Sequence, residues 1–203
     1  MKRFDCLTLL SKVIGTNDVV VCNLQDTTYE WNYLRPSDAN LLRMGMSIVT
    51  PIAFGLAISM PDQRVVSLDG DGSMIMGMGM LTTLGRYRPP NLLAIIFDNE
   101  SYNSTGSSIP TGTGTGTDLA AAATASGVKN SVSTTDLGQF EKYLRKAIDS
   151  REHWIIVTKT EKESAKVPRP TVDGQENKYR FVRFVEKLKG VQILPTEEQK
   201  SFN

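Results

Sequence analysis

Four stretches, DVVVCN (18–23), RVVSLD (64–69), NLLAIIFD (91–98) and HWIIVTK (153–159), carry their apolar residues consecutively instead of alternately. A strand that buries only one face alternates, whereas one covered on both faces has no polar side to show. Before and between these runs lie helical patterns: an amphipathic first segment, SIVTPIAFGLAIS (47–59), SMIMGMGMLTTLGRY (73–87), TDLAAAATASG (117–127) and TTDLGQFEKYLRKAIDS (134–150). Strands buried on both faces and alternating with helices imply an α/β, doubly wound, mostly parallel sheet with helices on both sides. The stretch 25–45, with Pro36, reads as a polar, irregular connection. The pattern places one α/β domain at 1–160. Beyond it, 161–203 reads as a C-terminal segment that wraps the surface and carries a terminal helix, YRFVRFVEKLKG (179–190).

Bulk properties exclude several classes. Lys and Arg number 23 against 22 Asp and Glu, a net charge of +1, so no overall charge favours nucleic acid or an anionic membrane. No apolar run reaches the length of a membrane span. The two cysteines, Cys6 and Cys22, make neither a CxxC pair nor a metal spacing, and a reduced, cytoplasmic setting is the expectation. Any anion bound here must be bound locally.

Local binding is suggested by DGDGS (69–73) and DNESYNSTG (98–106). In an open parallel sheet, ligands sit beyond the carboxyl ends of the strands, where both segments fall. Twenty-five residues, Ser73 through Phe97, separate GDG from DN. That is room for one crossover helix and the next parallel strand, which brings Asp71 and Asn99 to one rim. An EF-hand beginning at Asp69 fails, because its glycine and closing glutamate positions hold Met74 and Met80. A P-loop lacks its lysine, and GDGSMI lacks the last glycine of a dinucleotide fingerprint. On the residues alone, a simple strand-to-helix turn with a solvated Asp71 stays open. A binding reading has Gly72 and Ser73 presenting N–H groups to phosphate at a helix start, and Asp71 presenting a carboxylate. A Mg²⁺ ion with oxygen ligands reconciles the two.

GDG, twenty-five residues and then DN resembles the thiamine diphosphate motif, in which GDG is followed by NN. Asp98 stands where the family has its first asparagine, and Asn99 keeps the second. The chain is thus similar to the diphosphate-binding (β) subunit of thiamine diphosphate-dependent 2-oxo acid decarboxylases, and to the thiamine diphosphate-binding fold of their diphosphate (PP) domain. The loop and TDL helix in DNESYNSTGSSIPTGTGTGTDL most resemble the β subunit of sulfopyruvate decarboxylase and the C-terminal half of phosphonopyruvate decarboxylase. The resemblance implies Mg²⁺ ligands at Asp71, Asn99 and the carbonyl of Ser101. It implies cofactor contacts at Gly70, Gly72, Ser73 and Tyr102, an apolar support for the cofactor at Met46, and a carbonyl acceptor at Met44. Core packing is the plainer explanation of the two methionines taken alone.

The same resemblance implies decarboxylation of a small anionic 2-oxo acid to an aldehyde and CO₂. It implies no catalytic proton-transfer residue on this chain, since the activating glutamate belongs to a pyrimidine-domain (α) partner, in an α₂β₂ or larger assembly. A carboligase, an oxo acid oxidoreductase subunit and a catalytically silent scaffold share these motifs. Ser104, Thr105, Gly106 and Thr111 offer hydroxyl and N–H groups to a substrate anion, or serve only to order the loop. TGTGTGTD (111–118) reads equally as a linker or a mobile lid, with Asp118 starting the next helix. His153, the single histidine, is expected to be structural.

Overall fold

The computed structural model describes residues 1–103 and 109–195. Six strands form one sheet: β1 (Val19–Asn23), β2 (Asn40–Met44), β3 (Val65–Gly70), β4 (Leu92–Asp98), β5 (Asn130–Thr134) and β6 (Trp154–Lys159). Their order is β2-β1-β3-β4-β6-β5 and every pairing is parallel. The helices are α1 (Arg3–Val13), α2 (Asp26–Leu34), α3 (Val49–Ser59), α4 (Asp71–Met76), α5 (Met80–Tyr87), α6 (Leu119–Ala125), α7 (Leu137–Asp149) and α8 (Gly174–Lys189).

The consecutive apolar runs feed two cores. Val19, Val21, Val65, Ala94, Ile96, Ile155 and Val157 face one side, against α3, α5, α6 and α8. Their neighbours Val20, Val66, Leu68, Ile95 and Ile156 face the other, against Leu7 and Leu10 of α1, Trp31 of α2, and Phe140 and Leu144 of α7. The doubly wound α/β expectation holds, and among the described residues no helix is long and apolar enough to cross a membrane.

Two local expectations fail and one strand goes unforeseen. The stretch 25–45 is not irregular: it contains α2 and β2. Its Thr-Thr-Tyr-Glu-Trp run has little helical propensity, and tertiary contacts hold it instead. Trp31 is fully buried and donates from Nε1 to Asn40 Oδ1 at 3.0 Å, while Glu30 pairs with Arg3 of α1 at 2.8 Å. β5, NSVST, is a polar edge strand with mostly part-exposed residues and no apolar signal. The single helix expected over 73–87 is two, broken at Gly77–Gly79. A Cβ on Gly77 would stand 2.9 Å from the Ser47 carbonyl oxygen, so the break lets the loop before α3 close in.

α8 begins earlier than its apolar pattern, because Asp173 caps it by accepting from Glu176 N at 2.9 Å. It covers the open edge of the sheet. Asn177 accepts from Leu42 N at 2.8 Å and donates to Asn40 O at 2.9 Å, an amide standing in for another strand beside β2. Phe181 and Val185 then join the core near Leu41.

Candidate functional site

From β1 the chain winds outward to β2, then returns to place β3 on the other side of β1. Crossovers on the two sides of this switch point run away from each other and leave a crevice at the carboxyl ends of the strands. A cleft occupies that place. Asn23–Thr27 after β1, Met46 after β2, Gly70–Ser73 after β3, and Asn99 with Ser101–Asn103 after β4 line it. Arg3 reaches it from α1 and is the one basic residue among the described lining.

Asp69 and Asp71 take different positions. Asp69 accepts from Thr50 Oγ1 of α3 at 2.7 Å, Asn23 Nδ2 of β1 at 3.3 Å and its neighbour Gly70 N at 2.9 Å. It braces the floor of the cleft, and burial pushes its carboxyl up despite those donors. Asp71 begins α4 and lines the cleft, yet is only 3% exposed. Its Oδ2 accepts from Thr111 Oγ1 at 2.5 Å, and Thr113 Oγ1 lies 3.1 Å from the same oxygen. Burial raises its carboxyl, the Thr111 hydroxyl opposes that, and the charge of Asp98 adds to the rise.

Asp98 sits beside Asp71 in the same network. Its Oδ1 accepts from Thr113 Oγ1 at 2.7 Å, and its Oδ2 pairs with Lys159 Nζ at 2.9 Å. Asn99 lines the cleft, and its Oδ1 accepts from Ser101 N at 3.2 Å. Glu100 between them has φ 59°, and that left-handed turn lets the loop reverse over the end of β4. Ser101 pairs with Pro110 across the loop.

The glycines mark close approach. A Cβ on Gly72 would lie 2.3 Å from the Tyr102 ring, so the aromatic face rests directly on the turn. Ser73 Oγ accepts from Ser47 N at 3.0 Å and so holds the loop carrying Met46. α4 is only six residues long and its N-cap is Gly70, which has no side chain to cap it. A helix so short has a weak dipole, and any anion here would rely on individual N–H groups. Met44 does not line the cleft and packs half-buried against the core on the α3 side.

These donors suit a hard cation. A carboxylate, an amide oxygen and a backbone carbonyl are oxygen ligands, and among the described residues no three His, Cys, Asp or Glu side chains gather to hold a metal, at this cleft or elsewhere. A site with so few protein ligands fits Mg²⁺ sharing its sphere with phosphate oxygens and water.

The sequence-expected Asp71, Asn99, Ser101, Gly70, Gly72, Ser73, Tyr102 and Met46 all meet at this cleft. Ser104, Thr105 and Gly106 lie outside the described residues. His153 is at the opposite rim, with Nδ1 donating to Leu92 O at 2.8 Å; burial pushes its pKa down. Asp118 caps α6 through Ala120 N and Ala121 N. Sequence reading missed the loop after β1, Arg3, the bracing role of Asp69, and the Asp71 contacts of Thr111 and Thr113. For the threonines the signal was present in their alternation with glycine.

Residues 14–158 match the family "Thiamine pyrophosphate enzyme, C-terminal TPP binding domain". Sulfopyruvate decarboxylase subunit beta of Methanocaldococcus jannaschii is 30% identical over 187 residues, 92% of this chain and 98% of that protein. Sulfopyruvate decarboxylase of Methanosarcina acetivorans is 29% identical over 182 residues, which cover 89% of this chain but 46% of that longer one. Among solved structures, benzoylformate decarboxylase from Polynucleobacter necessarius superposes with a TM-score of 0.68 at 18% identity, over 81% of this chain and 34% of that chain. At that identity the likeness speaks to the fold.

Proposed function

This chain belongs to the thiamine pyrophosphate enzyme family through its C-terminal TPP binding domain, and on that premise we propose that it is the diphosphate-binding subunit of a two-subunit decarboxylase. Its substrate class is a small 2-oxo acid with a second anionic group, of the sulfopyruvate or phosphonopyruvate type, converted to an aldehyde and CO₂. The observation that carries this reading is the convergence of Asp71, Asn99 and Ser101 on one switch-point cleft. The near full-length match to a subunit named beta supports it.

In this reading Asp71 and Asn99 hold Mg²⁺ through side chains and Ser101 through its carbonyl. Gly72 and Ser73 offer N–H groups to the diphosphate, Tyr102 flanks it, and Met46 supports the cofactor from below. When bound, thiamine diphosphate supplies the electron sink for loss of CO₂. The chain's own residues bind and orient it. Asp71 is held by the Thr111 hydroxyl at 2.5 Å and is suited to a ligand's role, not a proton carrier's. No glutamate is among the described residues that line the cleft, which favours an activating glutamate from a partner α chain. The Methanosarcina acetivorans relative, of which this chain matches less than half, is consistent with two such units joined in one polypeptide. Residues 161–203 are read as a segment wrapping the 1–160 domain, supported over its described part by α8 docked on β2, with 196–203 outside the described residues.

The test is reconstitution. This chain and a co-expressed α/β partner, with thiamine diphosphate and Mg²⁺, are given sulfopyruvate, phosphonopyruvate or pyruvate, and CO₂ and aldehyde are measured. Equal release of both products from an anionic substrate, only with both chains, is expected. Turnover by this chain alone, or an oxidised product in place of the aldehyde, contradicts the proposal.

A further inference from the structure

The run TGTGTGTD has the composition of a linker, but its first half is fixed. Thr111 is 2% exposed and Thr113 6%, and a single 3₁₀ turn, Gly112–Gly114, lies between and beyond them. Gly114 N donates to Thr111 O at 3.1 Å and Thr117 N to Gly112 O at 2.9 Å. The glycines fit where a side chain would crowd. A Cβ on Gly112 would stand 3.0 Å from Thr117 Oγ1, and one on Gly114 3.3 Å from Glu100 Cβ. The alternation therefore turns threonine hydroxyls inward while glycine lets the backbone press against the loop after β4. Exposure begins at Gly114, and even exposed Thr115 donates from its backbone N to Gly112 O at 3.1 Å before Gly116, with φ 134°, turns the chain.

The inward hydroxyls meet the acids. Thr111 Oγ1 donates to Asp71 Oδ2 at 2.5 Å, and Thr113 Oγ1 lies 3.1 Å from the same oxygen and 2.7 Å from Asp98 Oδ1. The two hydroxyl oxygens are 2.8 Å apart. Each threonine has one hydroxyl proton. Thr111 spends its proton on Asp71, the shorter contact, and Thr113 spends its own on Asp98. Lys159 Nζ balances Asp98 from the far side at 2.9 Å. Neither threonine touches Asp71 Oδ1. A carboxylate gripped by one oxygen cannot rotate freely about its Cβ–Cγ bond, so its other oxygen has a fixed direction.

We propose that Thr111, with Thr113 in support, is a positioning residue for the metal site: it holds Asp71 by Oδ2 so that Oδ1 is presented to Mg²⁺. This rests on Asp71 being a metal ligand. The run is then a strut behind the site and not a lid over it. Groups that orient a metal ligand without touching the metal typically contribute about 10–100-fold in metal affinity.

The experiment measures thiamine diphosphate retention by equilibrium dialysis of the full-length chain in its native assembly, across a series of Mg²⁺ concentrations, together with the thermal midpoint without ligands. Thr111→Val keeps the shape and removes the hydroxyl. It is expected to raise the Mg²⁺ concentration for half-retention by about tenfold, with full retention at saturating Mg²⁺. Thr111→Ser, which restores the hydroxyl, is expected to return the midpoint towards that of the unaltered chain, and Thr113→Val to give a smaller rise. An unchanged Mg²⁺ midpoint in Thr111→Val, while Asp71→Ala loses retention, overturns the strut and leaves the metal site standing. Unchanged retention in Asp71→Ala overturns the metal site itself. An equal rise in Thr111→Ser and Thr111→Val would mean loop packing, not the hydroxyl, and also overturns the proposal. If Thr111→Val does not fold, Thr113→Val decides: a raised midpoint supports the strut and an unchanged one contradicts it.

Discussion

The two rims of the sheet are built from the same strands, but only one of them gathers buried acids. At the amino rim, polar side chains close the backbone. Asn91 Nδ2 donates to the carbonyls of Ala57, Met60 and Gln63, His153 donates to Leu92 O, and Arg88 ends α5 in a left-handed cap. At the carboxyl rim some polar side chains also meet backbone, as Ser73 and Asn99 do, but the buried acids are held by other side chains: Thr50 on Asp69, Thr111 on Asp71, Thr113 on Asp98. Backbone strain follows the same division. Gln25, Arg43, Ser47 and Glu100 have positive φ around the carboxyl ends of β1, β2 and β4, whereas Arg88 is the one such non-glycine residue at the amino rim among those described. Buried acids and strained turns cost stability, and their concentration at one rim marks where the fold is committed to a ligand. Substitutions at the carboxyl rim should therefore move ligand binding, and those at the amino rim stability alone.

The largest effect is expected from Asp71→Asn. It preserves shape but weakens the one charged ligand of the proposed metal site, and cofactor retention at fixed Mg²⁺ should fall by about 100-fold or more, beyond the loss typical of supporting groups. Burial already disfavours the ionised carboxyl, so the unliganded chain should melt no earlier than before. Gly72→Ala comes next. The added methyl must displace the Tyr102 ring, which should lower stability by about 1–3 kcal/mol in denaturant unfolding and weaken cofactor binding as well. The smallest effect should come from His153→Gln at the amino rim. Burial holds the His153 pKa below its ordinary value of 6.5, so the unfolded chain takes up a proton before the folded one. Its contribution to stability is present above pH 6.5 and is lost as pH falls through the folded value. Thermal midpoints measured from pH 7.5 downward should show this loss in the unaltered chain and a shallower one in His153→Gln, with cofactor retention at pH 7.5 unchanged. A large change in retention there would break the division between the rims.

How much could be read in advance follows the same physics. β1, β3, β4 and β6 are interior strands, and burial on both faces writes apolar residues at nearly every position. β2 and β5 are the edges, each paired with a strand on one side only, and the pattern dissolves into Asn, Arg and Ser. α2 escaped because its stability comes from Trp31 and the Arg3–Glu30 pair, contacts no local window contains. At the site, Asp71 and Asn99 were legible because a fixed spacing between two strand ends is a topological statement. Asp69 was not, since its work depends on Thr50 and Asn23 arriving from two other elements. Thr111 lies forty positions from Asp71, and only the folded loop puts its hydroxyl on that carboxylate.

In the proposed site, Asp71, Asn99 and the Ser101 carbonyl share one divalent cation with a diphosphate at the switch point. Crystals of the assembled protein grown with thiamine diphosphate and Mn²⁺ in place of Mg²⁺ would locate that cation by its anomalous scattering. The expected result is a single peak in the cleft within about 2.3 Å of an Asp71 oxygen, Asn99 Oδ1 and Ser101 O, in octahedral oxygen coordination. A peak elsewhere, or cofactor bound in the cleft with none of those three oxygens on the metal, would contradict the account.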